Sequence, residues 1–337
     1  MSWYHIPGDR QDVAVSTRVR LARNIAGYPF PARLDAVGAK AIIDLVGGVL
    51  EPNGFVRTDF ADLTRAAAES LVEKRFISPR FARESLPHAL FLNDACNLSV
   101  MVCEEDHIRI QCILPGFALQ DAWKGAAKVE ALLDGALELS FDPRLGYLTA
   151  SPLHLGTALR GSVMLSLPLL GAAGRAEALG HQLERTGLSL RGIFGDGSAA
   201  VGGLYRISSR ATLGVSEEEI LVRLSEGVES VIQAERKARE GLTGGDLDRL
   251  TDRIRRAEGI LRHAHLLSAV EMTELLGLLR LGAAMGVIHG EKVETMTALL
   301  AEGMPATLSL STEPQPKNDH ERELLRAKAV RERIFGQ

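Results

Sequence analysis

Apolar and polar residues alternate with a period of two in several short stretches of the chain and recur every three to four residues in longer ones. Val13-Ala14-Val15-Ser16-Thr17-Arg18-Val19-Arg20 alternates, as does Ile108-Arg109-Ile110-Gln111-Cys112-Ile113, and Leu98 to Val102 is rich in β-branched residues. Each predicts a strand with one buried face. His88 to Leu92, Leu188 to Phe194 and Leu204 to Ser208 read as further strands. Helical spacing dominates from Asp35 to Arg83: Ala39, Ile42, Ile43, Val46 and Leu50 form one stripe, and a second helix spans Leu63 to Phe76. Leu119 to Leu139 predicts a long helix with Trp123 in its apolar stripe, and Leu155 to Leu165 predicts a helix of small residues. Ser216-Glu217-Glu218-Glu219 is a capping box that opens a charged helix to about Arg239.

Gly241-Leu242-Thr243-Gly244-Gly245 is the best boundary in the chain. It divides residues 13–240, where strands and helices mix, from residues 241–337, where only helices are expected: Asp246 to His265, Ser268 to Leu281, Glu291 to Glu302 and Glu321 to Phe335. The expected class is α+β with an all-helical C-terminal domain.

Composition narrows the functions. The 337 residues are 46% hydrophobic and 24% charged, as in ordinary globular proteins. A net charge of -4 gives no general attraction for nucleic acid, so a polyanion site would need local clustering of arginine. Met1 to Arg10 is polar and reads as no signal peptide, and no apolar run suits a membrane span, so a cytoplasmic location is expected. Cys96, Cys103 and Cys112 fit neither a zinc site nor a disulfide framework, and His263 and His265 do not share a helix face, so no metal-ligating set is read.

The chemistry collects at Glu104-Glu105-Asp106-His107-Ile108-Arg109, where three carboxylates, an imidazole and a guanidinium occupy a turn between two strands. Carboxylates beside arginines suit a substrate that is cationic at one end and polyanionic at the other. Arg18 and Arg20 lie two apart on one strand face, as a pair of forks for phosphate oxygens. Arg160 falls one turn into the small-residue helix, whose start offers free N–H groups, and no lysine follows Gly161 as a Walker A loop requires. Arg191 precedes a loop in which Asp196 stands between Gly195 and Gly197.

The order and content of these four segments resemble the phosphagen (guanidino) kinases, and more closely their bacterial protein-arginine kinase branch. The resemblance runs from about residue 13 to residue 335. It implies an antiparallel sheet flanked by helices, as in phosphagen kinases and the glutamine-synthetase-like catalytic domain, with ATP and Mg²⁺ across its polar face. It assigns ATP contacts to Ser16, Thr17, Arg18, Val19, Arg20, Arg75, Arg109, Arg160, Gly161, Ser162, Val163, Met164, Arg191, Gly192, Ile193, Phe194, Gly195 and Asp196. Catalytic roles fall to Glu104, Glu105 and Asp196. Arg322-Glu323-Leu324-Leu325-Arg326-Ala327 is similar to the family's phosphoarginine pocket. Implied partners are protein substrates with exposed arginines, a transcriptional repressor, a AAA+ protease unfoldase in stress-response proteolysis and a second copy of the chain. The sequence departs from the family pattern at Ser151 for cysteine, Asp196 for glutamate, Ala199 for a second glutamate, Arg75 for histidine and Glu323 for aspartate. A catalytically weak regulator that reads phosphoarginine, or a kinase of small guanidines, therefore stays open beside the protein-arginine kinase.

Overall fold

In a computed structural model, which describes residues 2–193, 200–290 and 292–336, the alternating stretches become strands of one sheet. In chain order the elements begin with β1 (Ala14–Arg23), α1 (Ala36–Leu50), β2 (Phe55–Asp59), α2 (Arg65–Glu73), β3 (Ala89–Asn93), β4 (Leu98–Val102), β5 (Ile108–Pro115) and α3 (Leu119–Asp134). There follow β6 (Phe141–Asp142), β7 (Gly146–Tyr147), β8 (Leu159–Ser166), α4 (Pro168–Ala172), α5 (Arg175–Glu184), β9 (Leu188–Gly192), β10 (Leu204–Ser209) and α6 (Glu217–Glu240). The rest is helical: α7 (Gly244–His263), α8 (Ala269–Ala284), α9 (Val293–Glu302), α10 (Pro305–Leu310) and α11 (Asp319–Val330).

The large sheet is antiparallel, in the order β2-β3-β4-β5-β1-β8-β10-β9, with β6 and β7 as a separate hairpin. Its register sorts side chains cleanly. Val19, Leu21, Ile108, Ile110, Leu159, Val163 and Ile207 face the helices, where α1, α3 and α6 cover them with residues such as Ile42, Val129 and Leu224. At roughly 25 cal/mol per Å² of apolar surface, this layer is the main source of stability. The capping box read at Ser216 forms in both directions with Glu219.

Three expectations fail for physical reasons. Residues 155–165 are not a helix: from Leu159 they form β8, paired on both sides with β1 and β10. The small residue there serves close helix packing, since a Cβ on Gly161 would come within 2.6 Å of Leu224 Cδ2. Residues 55–59, within the stretch read as mostly helical, form the edge strand β2, whose single partner and exposed Val56 leave no clear alternation. The helix expected to reach Leu139 ends at Asp134.

The C-terminal helices share their own apolar cluster, including Ile254, Met272, Leu276, Leu279 and Val330. They also bind the rest of the chain: Arg280 donates to the carbonyl of Gln11 at 3.0 Å, and Glu73 of α2 accepts from the amides of Ala306 and Thr307. No helix among the described residues is long and apolar enough to cross a membrane.

Candidate functional site

The site lies on the sheet face opposite the covering helices. The antiparallel register aligns Arg20 with Arg160 and with Gln111, and Arg191 with Arg206. Side chains directly opposite share a face, so Ser16, Arg18, Arg20, Arg109, Arg160, Ser162, Met164 and Arg191 come together. The remaining motif residues part from them. Thr17, Val19, Gly161, Val163 and Gly192 belong to the other face. Val19 and Val163 are core, and Thr17 Oγ1 donates to the carbonyl of Gly116 at 2.7 Å and accepts from Ala118 N at 3.0 Å. Ile193 is buried in a second apolar cluster. Phe194, Gly195, Asp196 and Ala199 lie outside the described residues.

Arg75 reaches this face from the segment after α2. Its backbone is left-handed at φ 64°, and Gln111 Nε2 holds its carbonyl at 2.9 Å. A non-glycine residue in that conformation is held by such contacts rather than by local preference.

Among the described residues, no carboxylate pairs with Arg18, Arg20, Arg75, Arg160, Arg191 or Arg206 in this structure, and the buried Nε of Arg20 has no acceptor. Burial, then repulsion from neighbouring guanidiniums, pushes Arg18 well below the ordinary arginine range. Burial likewise lowers Arg20 to about 9 and Arg75 to about 10, and it lowers Arg160 and Arg206, with other arginines adding to each shift. Guanidiniums crowded in this way are stabilised by a polyanion.

At one end of the face stands the acidic turn. Cys103 takes a left-handed φ of 65°, and its amide donates to the carbonyl of His107 at 2.8 Å, closing the turn between β4 and β5. Glu104 is buried between Arg109 Nη1 and Ser78 Oγ. Glu105 contacts Arg109 Nη2 at 3.1 Å, Arg80 Nη1 at 3.5 Å and His154 Nδ1 at 3.9 Å. Asp106 points inward, accepting from Asn24 Nδ2 at 2.8 Å and Ala150 N at 2.7 Å. His107 Nδ1 accepts from Ile25 N at 3.1 Å, so Nε2 carries the hydrogen donated to the carbonyl of Pro29 at 2.8 Å. Burial holds this ring below the usual histidine pKa.

Sequence reasoning missed four contributors: Arg206, Ser78, Arg80 and His154. Arg206 was legible, because it falls two residues before Ser208 in a recognised strand. The other three come from loops that only the fold brings to the acids.

The segment Arg322 to Ala327 lies on α11. Arg326 is buried, donating to the carbonyls of Gly303 at 2.7 Å and Leu267 at 2.8 Å, while Arg322 pairs with Asp319 and Ala327 is in the core. Glu323 accepts from Leu267 N through its carbonyl, and Leu324 and Leu325 are half-buried. Leu325 and Arg326 border a cavity of about 500 Å³ that Lys328 and Arg333 also line.

Residues 48–238 match the family ATP:guanido phosphotransferase, C-terminal catalytic domain, and residues 247–336 match the protein-arginine kinase McsB C-terminal domain. The protein-arginine kinase of Symbiobacterium thermophilum is 38% identical, over 98% of this chain and 96% of its own. That of Moorella thermoacetica is 36% identical, over 99% and 97%. Among solved structures, lombricine kinase superposes with a TM-score of 0.61 at 24% identity, covering 72% of this chain and 71% of its own. The duplicated taurocyamine kinase from Schistosoma mansoni, with bound transition-state-analogue components, gives 0.62 at 24%, covering 75% and 38%. These two structural likenesses bear on the fold.

Proposed function

The chain belongs to the ATP:guanido phosphotransferases and to their protein-arginine kinase branch, and from that premise we propose how its residues transfer the γ-phosphoryl group of ATP to arginines of protein substrates. The observation that carries the reading is the juxtaposition on one sheet face of a carboxylate pair with arginines that no described carboxylate pairs. Transfer of a phosphoryl group spreads negative charge over the reacting oxygens, and fixed guanidiniums stabilise it most where water is excluded. Arg18, Arg20, Arg75, Arg160, Arg191 and Arg206 take the ATP phosphates. Mg²⁺ belongs to the same proposal as the ion that accompanies ATP. Because the described carboxylates of Glu104 and Glu105 already hold Arg109, the ion would be held by phosphate oxygens and water.

A guanidinium is a poor nucleophile, since its lone pairs are delocalised and it is protonated at neutral pH. Glu105, half-exposed beside the clamp, orients the substrate guanidinium and accepts its proton as the N–P bond forms. Glu104, buried between Arg109 and Ser78, holds Arg109 in place. Asp196 enters as a second carboxylate for the guanidinium, and the α11 segment as a phosphoarginine pocket, on the family resemblance. A role in stress-response proteolysis with a repressor and an unfoldase, and a homodimer, rest on that same resemblance, and a cytoplasmic setting is proposed beside them.

Purified chain with Mg-ATP and an unfolded arginine-rich protein should add phosphoryl groups to arginine, seen as acid-labile mass increments by intact-protein mass spectrometry. Glu105→Gln should abolish them while ATP still binds. Label on free arginine and none on protein would sink the protein-kinase reading.

A further inference from the structure

Beside the acidic turn stands a group with no part in the scheme above. His154 lines a cavity of about 180 Å³ together with Arg20, Glu105, Arg109 and Arg160. Its Nδ1 lies 3.9 Å from Glu105 Oε2, and its side chain is 23% exposed, enough to meet water. The loop that carries it is anchored on both sides: Ala150 N donates to Asp106 at 2.7 Å, and Thr157 N donates to the carbonyl of Thr212 at 3.0 Å. His154 is therefore placed rather than incidental. Among the described residues lining the cavity, only Glu105 and His154 carry a side-chain lone pair that can receive a proton.

Phosphorylating a guanidinium leaves a proton to remove. Two arginines contact Glu105, so a proton resting on that carboxylate disrupts charge-assisted hydrogen bonds and must move on. We propose that His154 takes the proton from Glu105 and delivers it to solvent, a positioning residue that acts through the carboxylate. One guanidinium N–H bond breaks as the N–P bond forms, and the P–O bond to ADP breaks with its electron pair leaving on ADP. The proton passes to Glu105 Oε2, then through one water bridging the 3.9 Å gap to His154 Nδ1, and the resulting imidazolium releases a proton to solvent. The charges facing the ring are Glu105 and Asp106 on the acidic turn, Arg109 on β5, Arg160 on β8 and Arg20 on β1. Burial is the largest influence and, with Arg109 and Arg160, outweighs the two carboxylates, holding the ring below its ordinary value. It is neutral at pH 7 and ready to accept.

This proposal rests on the protein-arginine kinase reading, and its test separates the two. Phosphoarginine formation is followed against pH for the wild type, for His154→Asn and for His154→Ala with and without added imidazole, alongside KM for Mg-ATP and melting temperature. The relay predicts that His154→Asn loses about 10²-fold in kcat, with KM for Mg-ATP and melting temperature held. It also predicts that the acid limb of the pH profile disappears and that imidazole restores His154→Ala. An active wild type with a variant of unchanged kcat and unchanged acid limb overturns the relay alone. So does loss of activity with a lowered melting temperature and no imidazole rescue, because the ring then serves structure. A wild type that makes no phosphoarginine at any pH overturns the kinase reading and the relay with it.

Discussion

Arg20 and Arg23 leave the same strand three residues apart and meet opposite environments. Arg23, 1% exposed, points among the helices. Its Nε donates to Glu130 at 2.6 Å, its Nη1 to the carbonyls of Ala22 and Thr157, and its guanidinium lies 3.5 Å from the ring centre of Tyr147. Arg20 faces the other way, with an orphaned Nε and arginines as neighbours. The first is a closed structural contact. The second is an interaction left open for a ligand, held at a cost in self-repulsion. Burial alone therefore does not tell a structural arginine from a binding one; the identity of the acceptor does. Arg326 sorts with Arg23, since carbonyls accept its N–H groups, and so does Arg280 at Nη1 and Nη2, although its Nε has no acceptor.

Substitution tests this contrast most sharply at Arg23. Arg23→Ala strands Glu130 and Glu217 without their cation and should destabilise the fold by about 3–5 kcal/mol, measured by urea unfolding, while the folded fraction keeps its activity. Arg20→Ala should do the reverse, lowering phosphoryl transfer by about 10²–10³-fold while leaving the unfolding midpoint unchanged or raised. Exchanged outcomes would break the comparison.

The smallest effect is on the pH dependence of stability. His107 is neutral in the fold with its pKa lowered, so below the unfolded value of about 6.5 the unfolded chain binds more protons and stability falls with pH. Melting temperature should decline as pH drops from 7.5 toward 5, and His154 contributes with the same sign. Asp12, lowered chiefly by Arg236 and Arg239 against the opposing effect of burial, loses its contribution only as pH falls below about 4. A melting temperature flat down to pH 5 would remove the histidines from the account.

The strands of the site were readable because one face is buried and the other carries arginine, which makes period two explicit at 13–20 and 108–113. Where small residues replace bulky ones, as at Gly161 and Ser162, that signal fades. The segment reads as a helix until its pairing with β1 is seen. The acids were legible as a dense turn, but their partners were not: Ser78 stands 26 residues before Glu104, and nothing local links the two. His154 was hidden in the same way, because its meaning depends on a loop folded back across the end of the sheet.

At its leading end that loop is tied to the acidic turn by a buried carboxylate. Asp106 joins the amide of Ala150 to the side chain of Asn24, whose own oxygen accepts from His107 N at 2.8 Å. Local opening proceeds in contiguous cooperative units, and segments tied through one shared acceptor are placed to form such a unit. Amide hydrogens at Ala150 and His107 should then exchange with solvent through one common opening event, and Asn24→Ala should accelerate both together. The acid and the histidine of the proposed relay would assemble and come apart as one unit.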